Sequence, residues 1–195
     1  MRRLGTLLLI AAATTGLLAA PAAADGPSRG RGNVVDTLVA RSGGGTFDDD
    51  SRDFDILVQA VLAADLAGVL SDPAAQFTVF APNDAAFMAT VRELTGSRPA
   101  SEQAAFDAVA GFGIPVVADV LLYHVVAGRR LGPIEVLLSR QLTMANGGTV
   151  GVRLLRLVDA DPDNRDPRLN LFELNIRASN GVIHTIDRVL RPVDL

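Results

Sequence analysis

The chain has two histidines, the side chains best suited to acid–base chemistry near neutral pH. His124 follows Tyr123 in an apolar run, and His184 lies three residues before Asp187. An imidazole beside a hydroxyl or a carboxylate could act as a general acid or base. In an apolar run it is more often buried and neutral, with its ring nitrogens hydrogen-bonded. We therefore expect Tyr123-His124 to support the fold, with contact to a partner as the alternative and catalysis as the least favoured interpretation.

The spacing of the polar residues argues against a zinc site or a hydrolytic triad. Neither histidine stands in an H-x-H or H-x-x-x-H pattern, and the chain has no cysteine. Ser139 or Ser179 could be drawn as a nucleophile beside an imidazole and an aspartate. However, there is no Gly-x-Ser-x-Gly elbow and no Gly-rich phosphate loop. We predict no catalytic, cofactor-binding or metal-binding residues, and therefore no enzyme.

One acidic segment has carboxylates at a spacing that resembles the start of a calcium loop. These carboxylates stand at i, i+2, i+4 and i+7: Asp159, Asp161, Asp163 and Asp166. The match then fails, because Asn164 replaces the glycine of such a loop and Asn170 replaces its closing bidentate glutamate. We predict a solvated acidic loop over residues 159–168, and calcium binding remains the weaker alternative.

Two other acidic stretches have a structural explanation. Asp48-Asp49-Asp50 lies in a polar loop over residues 46–53 and is most simply a solvated run of charge. Pro82-Asn83-Asp84 marks a corner between a strand and a helix, where both polar side chains can accept hydrogen bonds from free backbone N–H groups. No nucleophile or metal partner is near Asp84 in sequence, so we expect capping rather than general-base chemistry.

Hydrophobic periodicity predicts the elements that position these residues. Helices are predicted over residues 34–41, 53–66, 84–94, 101–110 and 114–122. Strands are predicted over residues 77–80, 123–127, 140–145, 149–158, 171–178 and 182–191. Turns are predicted at Asn146-Gly147-Gly148 and at Asn180-Gly181, because these residues tolerate positive φ. Helices followed by antiparallel strands indicate an α+β fold.

The same periodicity predicts which side chains face the core. The helix over residues 53–66 has an apolar face at i, i+3, i+4, i+7 and i+8 formed by Phe54, Leu57, Val58, Val61 and Leu62. Phe77, Val79 and Phe87 are also expected inside. In the last strand, Ile183 rather than Val182 is predicted to face the core.

The N-terminus has the features of an export signal. A positively charged start precedes an apolar run over residues 4–20, and Ala22-Ala23-Ala24 provides small residues before Asp25. We predict a signal peptide over residues 1–24 and a flexible leader over residues 25–32, with a transmembrane anchor as the disfavoured alternative. No later stretch is apolar for long enough to span a bilayer.

Three segments together resemble the fasciclin domain. They are FTVFAPNDAAF at residues 77–87, LLYHVV at residues 121–126 and ASNGVIHTIDRVL at residues 178–190. Their order and separation are similar to those of the family, and the resemblance covers residues 33–193. It implies a twisted antiparallel β-wedge with a helical cap, in which Tyr123-His124 is a scaffold element. The loops over residues 46–53 and 159–168 depart from the family pattern and are positions where partner specificity could reside.

The resemblance implies a secreted adhesion or interaction module that binds a protein or a surface polysaccharide. The formal net charge of −4 argues against a nucleic-acid or anionic-membrane partner, because both require clustered positive charge. An extracellular carrier of a small molecule or lipid, with a pocket between the helical cap and the strands, is the alternative. Retention at the cell envelope, the identity of the ligand and the oligomeric state stay open.

Overall fold

A computed structural model describes residues 31–162 and 165–193 of the chain. The predicted signal peptide and residues 25–30 of the predicted leader lie outside the described residues. The described chain is a mixed α+β structure, which confirms the predicted fold class.

The helices begin where the sequence offers capping side chains. Their bounds are α1 Val34–Arg41, α2 Asp55–Ala63, α3 Ala67–Leu70, α4 Asp84–Thr95, α5 Glu102–Ala110, α6 Ile114–Leu122 and α7 Pro133–Leu138. Asn33, Asn83 and Ser101 cap α1, α4 and α5, each accepting a hydrogen bond from a backbone N–H of the first turn. Helix α7 was not predicted. Its signal is Pro133 at the first position with Glu135 accepting from the Gly132 N–H at 2.6 Å.

The strands form one four-stranded and one three-stranded sheet. Their bounds are β1 Phe77–Pro82, β2 Val125–Ala127, β3 Gln141–Thr143, β4 Thr149–Arg153, β5 Arg156–Val158, β6 Ile176–Arg177 and β7 Gly181–Ile186. The larger sheet has the order β2-β1-β7-β6, and the smaller sheet has the order β3-β4-β5. The central pair, β1 and β7, runs parallel from Phe77↔Gly181 to Pro82↔Ile186, whereas the other pairs are antiparallel. The larger sheet is therefore mixed rather than wholly antiparallel.

Most predicted strands are shorter in the structure, including the last one, which ends at Ile186 rather than at residue 191, and two others differ most from their predictions. The strand predicted over residues 149–158 is interrupted at Leu154, whose φ of 55° turns the chain back and makes β4 and β5 a hairpin. The strand predicted over residues 171–178 is reduced to Ile176–Arg177. The predicted turn over residues 146–148 is confirmed, with Gly147 at φ 88°.

The turn at Asn180-Gly181 exists, but for a different physical reason from the one predicted. The Ala178 N–H donates to the Gly181 carbonyl at 2.9 Å and closes the turn. Neither Asn180 nor Gly181 has a positive φ. A Cβ at Gly181 would lie 2.7 Å from a Val34 methyl carbon and 2.8 Å from the Phe77 carbonyl oxygen. Glycine is therefore required by close packing rather than by backbone conformation.

The larger sheet is buried on both faces. One face packs against the helices through a cluster that includes Phe77, Val79, Phe87 and Ile183, as predicted. The opposite face packs against the smaller sheet through a second cluster that includes Phe80, Tyr123 and Ile186. The prediction for α2 is confirmed at Phe54, Leu57, Val58 and Val61. It is wrong at Leu62, which is 51% exposed because it lies on the outer side of the helix.

Candidate functional site

His124 is completely enclosed at the end of α6. Its Nδ1 lies 2.7 Å from the Val120 carbonyl oxygen, and its Nε2 accepts a hydrogen bond from the Leu190 N–H at 2.9 Å. These contacts assign the proton to Nδ1 and use both ring nitrogens. Burial lowers the pKa of His124 to about 4, and the bond to Val120 only partly opposes this. The imidazole is therefore neutral and joins α6 to the C-terminal segment.

His184 has the opposite tautomer in an equally closed position on β7. Its Nε2 lies 2.8 Å from the Leu131 carbonyl oxygen, and its Nδ1 accepts from the Asn175 N–H at 3.3 Å. The ring also stacks on Phe80, with centroids 5.9 Å apart. Burial lowers the pKa of His184, opposed by the bond to Leu131. Both imidazoles thus make structural hydrogen bonds.

The structure does not assemble the hydrolytic triad that the sequence could suggest. All four imidazole nitrogens are in contact with backbone groups, so no serine hydroxyl is hydrogen-bonded to a ring within the described residues. The Ser139 hydroxyl donates to the Glu135 carbonyl at 2.8 Å, at the C-terminal end of α7. Ser179 bonds through its backbone, with its N–H donating to the Gly32 carbonyl.

The segment after β5 is an internal ion-pair site rather than a solvated acidic loop. Asp161 is 2% exposed, and its carboxylate accepts from Arg191 Nη1 at 2.9 Å. Asp159 accepts from the Arg191 N–H at 2.9 Å and from the Asp161 N–H at 3.3 Å. Asp166 lies 3.8 Å from Arg156. The prediction of a solvated loop is therefore wrong at Asp161, because the carboxylate neutralises a buried guanidinium. The predicted loop residues Asp163 and Asn164 lie outside the described residues.

Asp84 caps a helix, as predicted, but it caps α2 rather than α4, the helix that it begins. The carboxylate accepts hydrogen bonds from the Asp55 N–H at 3.0 Å and the Ile56 N–H at 2.8 Å, at the start of α2. Phe54, the residue before α2, offers no capping side chain. Burial raises the pKa of Asp84 to about 8, with a contribution from its hydrogen bond to Asp53, while the two backbone bonds oppose the rise.

Asp84 is part of a larger group of carboxylates that sequence analysis missed. Two sets of three acidic side chains have oxygens within 4.8 Å of one another: Asp48, Asp53 and Asp55, and Asp53, Asp84 and Glu102. Burial, together with the charges of the nearby carboxylates, raises the pKa of Asp55 to about 7. Burial also raises the pKa of Glu102. Asp55 could not be recognised from sequence, because it begins a helix whose other side chains indicate only core.

An open groove lies at the end of the larger sheet where β1 and β7 end. It has a volume of about 500 Å³ and is lined by polar and apolar residues that include Leu155, Leu169, Leu171, Phe172 and Ile186. Phe172 is 98% exposed and Leu171 is 60% exposed, and the neighbouring Leu154 is 85% exposed. Leu171 and Phe172 line the groove, and Leu154 precedes the groove residue Leu155; exposed apolar side chains beside a concave surface are typical of an interaction site. We call Leu154, Leu171 and Phe172 the apolar rim.

A second pocket lies among α4, α5 and α6, where the carrier hypothesis requires a cavity. Its lining is almost entirely apolar and includes Phe87, Val117 and Leu121, but its volume is only about 50 Å³. A cavity that binds benzene has a volume of about 150 Å³. This pocket therefore has no room for a lipid chain in the conformation described.

Comparison with known proteins agrees with this architecture. A family model of the fasciclin domain matches residues 52–192. The chain belongs to the fasciclin family. A structure of a FAS1 domain pair from the insect cell adhesion molecule Fasciclin I matches with a TM-score of 0.57 and 14% identity, over 82% of this chain and 51% of that one. At this identity the likeness shows the fold alone, and the chain spans about half of that two-domain molecule.

Two Synechocystis proteins are similar in sequence to this fasciclin chain. The uncharacterized protein sll1735 is 32% identical over 162 residues, which cover 81% of this chain and 96% of the relative. Protein sll1483 is 34% identical over 146 residues, which cover 71% of this chain and 67% of the relative. Neither name states an activity.

Fasciclin domains are in general non-enzymatic, extracellular modules of adhesion and protein interaction. Within residues 31–162 and 165–193, no single helix is both long and apolar enough to cross a membrane. Helices α5 and α6 meet those criteria only when taken together, and they are bent by 102°.

Proposed function

We propose that this protein is an exported, non-enzymatic fasciclin module that binds another protein through the apolar rim. The observation that carries the proposal is the almost complete exposure of Phe172, together with Leu154 and Leu171, beside a groove of about 500 Å³. Aromatic side chains such as phenylalanine are enriched at protein interfaces, where a few well-packed anchor residues contribute most of the binding free energy. Export is supported by the predicted signal peptide over residues 1–24 and by the usual location of the family.

The internal position of both imidazoles supports a binding role rather than catalysis. His124 and His184 are 3% and 0% exposed, and each is held by two backbone groups. A general acid or base must reach the substrate proton within hydrogen-bond distance. These side chains instead stiffen the scaffold that presents the groove.

The proposal is tested by crosslinking in the native culture, comparing Phe172→Ser with the matched control Leu138→Ser. Leu138 is 78% exposed on α7, so both substitutions remove a large exposed apolar side chain without opening the core. We expect Phe172→Ser to weaken capture of the partner at least about 30-fold, as loss of a binding hot spot does, and Leu138→Ser to change it less than twofold.

Three outcomes would contradict the proposal. Equal capture by both variants would remove the rim as the binding surface. Capture of a polysaccharide instead of a protein would favour the surface-polymer alternative. Turnover of a small molecule that is lost in His124→Gln would restore an enzymatic interpretation.

A further inference from the structure

The loop over residues 46–53 folds back onto the start of α2 and brings acidic side chains together. Oxygens of Asp48, Asp53 and Asp55 all lie within 4.8 Å of one another. This distance is the separation of two oxygens on opposite sides of a calcium ion, whose bonds to oxygen are about 2.4 Å long. Asp48 is exposed, Asp53 is half-buried and Asp55 is fully buried, so the three carboxylates run inward from the surface.

Asp55 provides evidence that is independent of the clustering itself. Its side chain is 0% exposed, and neither carboxylate oxygen has a hydrogen-bond partner. One oxygen of Asp53, Oδ1, is also buried without a hydrogen-bond partner. Burying a carboxylate without hydrogen bonds or a counter-charge is costly, so native proteins pair such groups or use them as metal ligands. One of these two Asp55 oxygens lies within 4.8 Å of carboxylate oxygens of Asp48 and Asp53.

We propose that Asp48, Asp53 and Asp55 bind one calcium ion. A hard cation fits a donor set made of oxygen alone, and calcium accepts the irregular arrangement that a loop and a helix terminus provide. Carboxylates can bind through one or two oxygens, and water reaching the exposed side at Asp48 completes the six to eight ligands that calcium takes. This site is separate from the apolar rim and does not depend on the proposed function.

Two further carboxylates position the ligands. Glu102 accepts from the Asp48 N–H at 2.9 Å and fixes the outer end of the loop against α5. Asp84 accepts from the Asp55 N–H at 3.0 Å and fixes the first residue of α2. The basic side chain in the same loop, Arg52, is ion-paired with Asp50 at 3.1 Å. The cation, rather than an arginine of the loop, would therefore balance the charge of the inner carboxylates.

The test uses the full chain after treatment with a chelator, with calcium binding measured by calorimetry and thermal unfolding followed in parallel. We expect one calcium ion to bind with a Kd of roughly 10⁻⁵–10⁻³ M, the weaker range of protein calcium sites. Calcium at a hundredfold excess over Kd should raise Tm by roughly 5–10 °C. Magnesium should have a much smaller effect, because it demands regular octahedral geometry.

Substitutions distinguish the proposed calcium ligands from a neighbouring aspartate that is not a ligand. Asp55→Asn and Asp48→Asn should each weaken calcium binding at least about tenfold. Asp49→Asn, which changes an exposed aspartate next to Asp48 and outside both acidic sets, should bind calcium as the unmodified protein does. Asp48→Asn retains the Oδ1 acceptor for the Asp50 N–H, so it tests the site even if Asp55→Asn does not fold.

Three results would overturn the proposal. One is the absence of both heat and a Tm shift at calcium concentrations up to about 0.1 M, a hundredfold above the weakest Kd expected. A second is an equal response to calcium in Asp48→Asn and in the Asp49→Asn control. A third is an equal response to magnesium, which would replace calcium with a less selective cation site.

Discussion

The buried side-chain amide of Asn180 joins three segments of the chain by hydrogen bonds. Its Oδ1 accepts from the Val34 N–H at 2.9 Å, and its Nδ2 donates to the carbonyls of Leu70 and Asp72 at 2.8 and 3.0 Å. The side chain is 0% exposed, so each of these groups would lose its partner if the amide were removed. The residue that sequence identifies as part of a turn is therefore also the junction between α1, the end of α3 and the last hairpin.

Like Asn180, the two histidines make buried hydrogen bonds that join segments of the chain. His124 also gives a prediction about how stability depends on pH. Burial lowers the pKa of His124 from 6.5 to about 4, so only the unfolded chain takes up this proton between those values. His124 should therefore lower the free energy of unfolding by about 3 kcal/mol as pH decreases through this window, whereas the raised pKa values of Asp55 and Asp84 act in the opposite direction. The contribution of His124 is the difference in pH dependence between the unmodified protein and a variant that lacks the imidazole. Chemical denaturation at pH 7 and pH 4.5 measures the change.

His124→Gln is the control for this prediction. Glutamine can still accept from the Leu190 N–H but does not titrate, so the variant should be less stable at pH 7 and lose stability less steeply on acidification. Identical pH dependence in the two proteins would show that the imidazole is not kept neutral by the fold.

Strand β7 is the element on which both layers of the molecule depend. It lies between β1 and β6, and every residue from Gly181 to Ile186 is buried. Ile183 belongs to the core cluster between the larger sheet and the helices, whereas Ile186 belongs to the core cluster between the two sheets. A strand buried on both faces is typical of the parallel pairing that β7 makes with β1.

Truncation of β7 on its helical face should be more costly than truncation on the other face. Ile183 is 0% exposed in the main core cluster, so Ile183→Ala should lower the free energy of unfolding by about 2–5 kcal/mol. Val182, at 7% exposed, lies outside both clusters, so Val182→Ala should cost less. Urea denaturation of the two variants makes the comparison, and a larger loss for Val182→Ala would reverse the assigned faces.

The sequence predicts most helices because each capping residue is close in sequence to the start of its helix. It predicts strand pairing poorly because the paired strands are far apart in sequence. Asn33, Asn83 and Ser101 each mark a helix start within three residues of the N–H they accept from. The parallel contact of β1 with β7 joins residues about a hundred positions apart, and no periodicity within either strand reveals it. The same limit applies to the acidic site, where Asp84 caps a helix that begins 29 residues earlier.

Arg191 joins three parts of the whole molecule near its C-terminal end. Its guanidinium contacts Asp161 at 2.9 Å and Glu93 at 3.1 Å, and its side chain is 4% exposed. The Asp161 side chain is 0% exposed. An ion pair so deeply enclosed cannot be broken on one side without leaving a charge in a poorly solvated position.

Removal of this guanidinium should destabilise the whole domain. Arg191→Met should lower the free energy of unfolding by about 3–5 kcal/mol, because Asp161 loses its cation. Arg188→Met is the matched control, since Arg188 contacts the same Glu93 at 3.2 Å but is more exposed, and we expect a cost of about 1 kcal/mol or less. Thermal unfolding measures both, and similar losses would indicate that enclosure of the Arg191 pair has little effect.

The parallel contact between β1 and β7 has a consequence for biosynthesis. Residues 77–82 leave the ribosome about a hundred residues before the strand that pairs with them, residues 181–186. A nascent polypeptide therefore carries an unpaired strand edge, and neither core can close, until the second of these strands has been made.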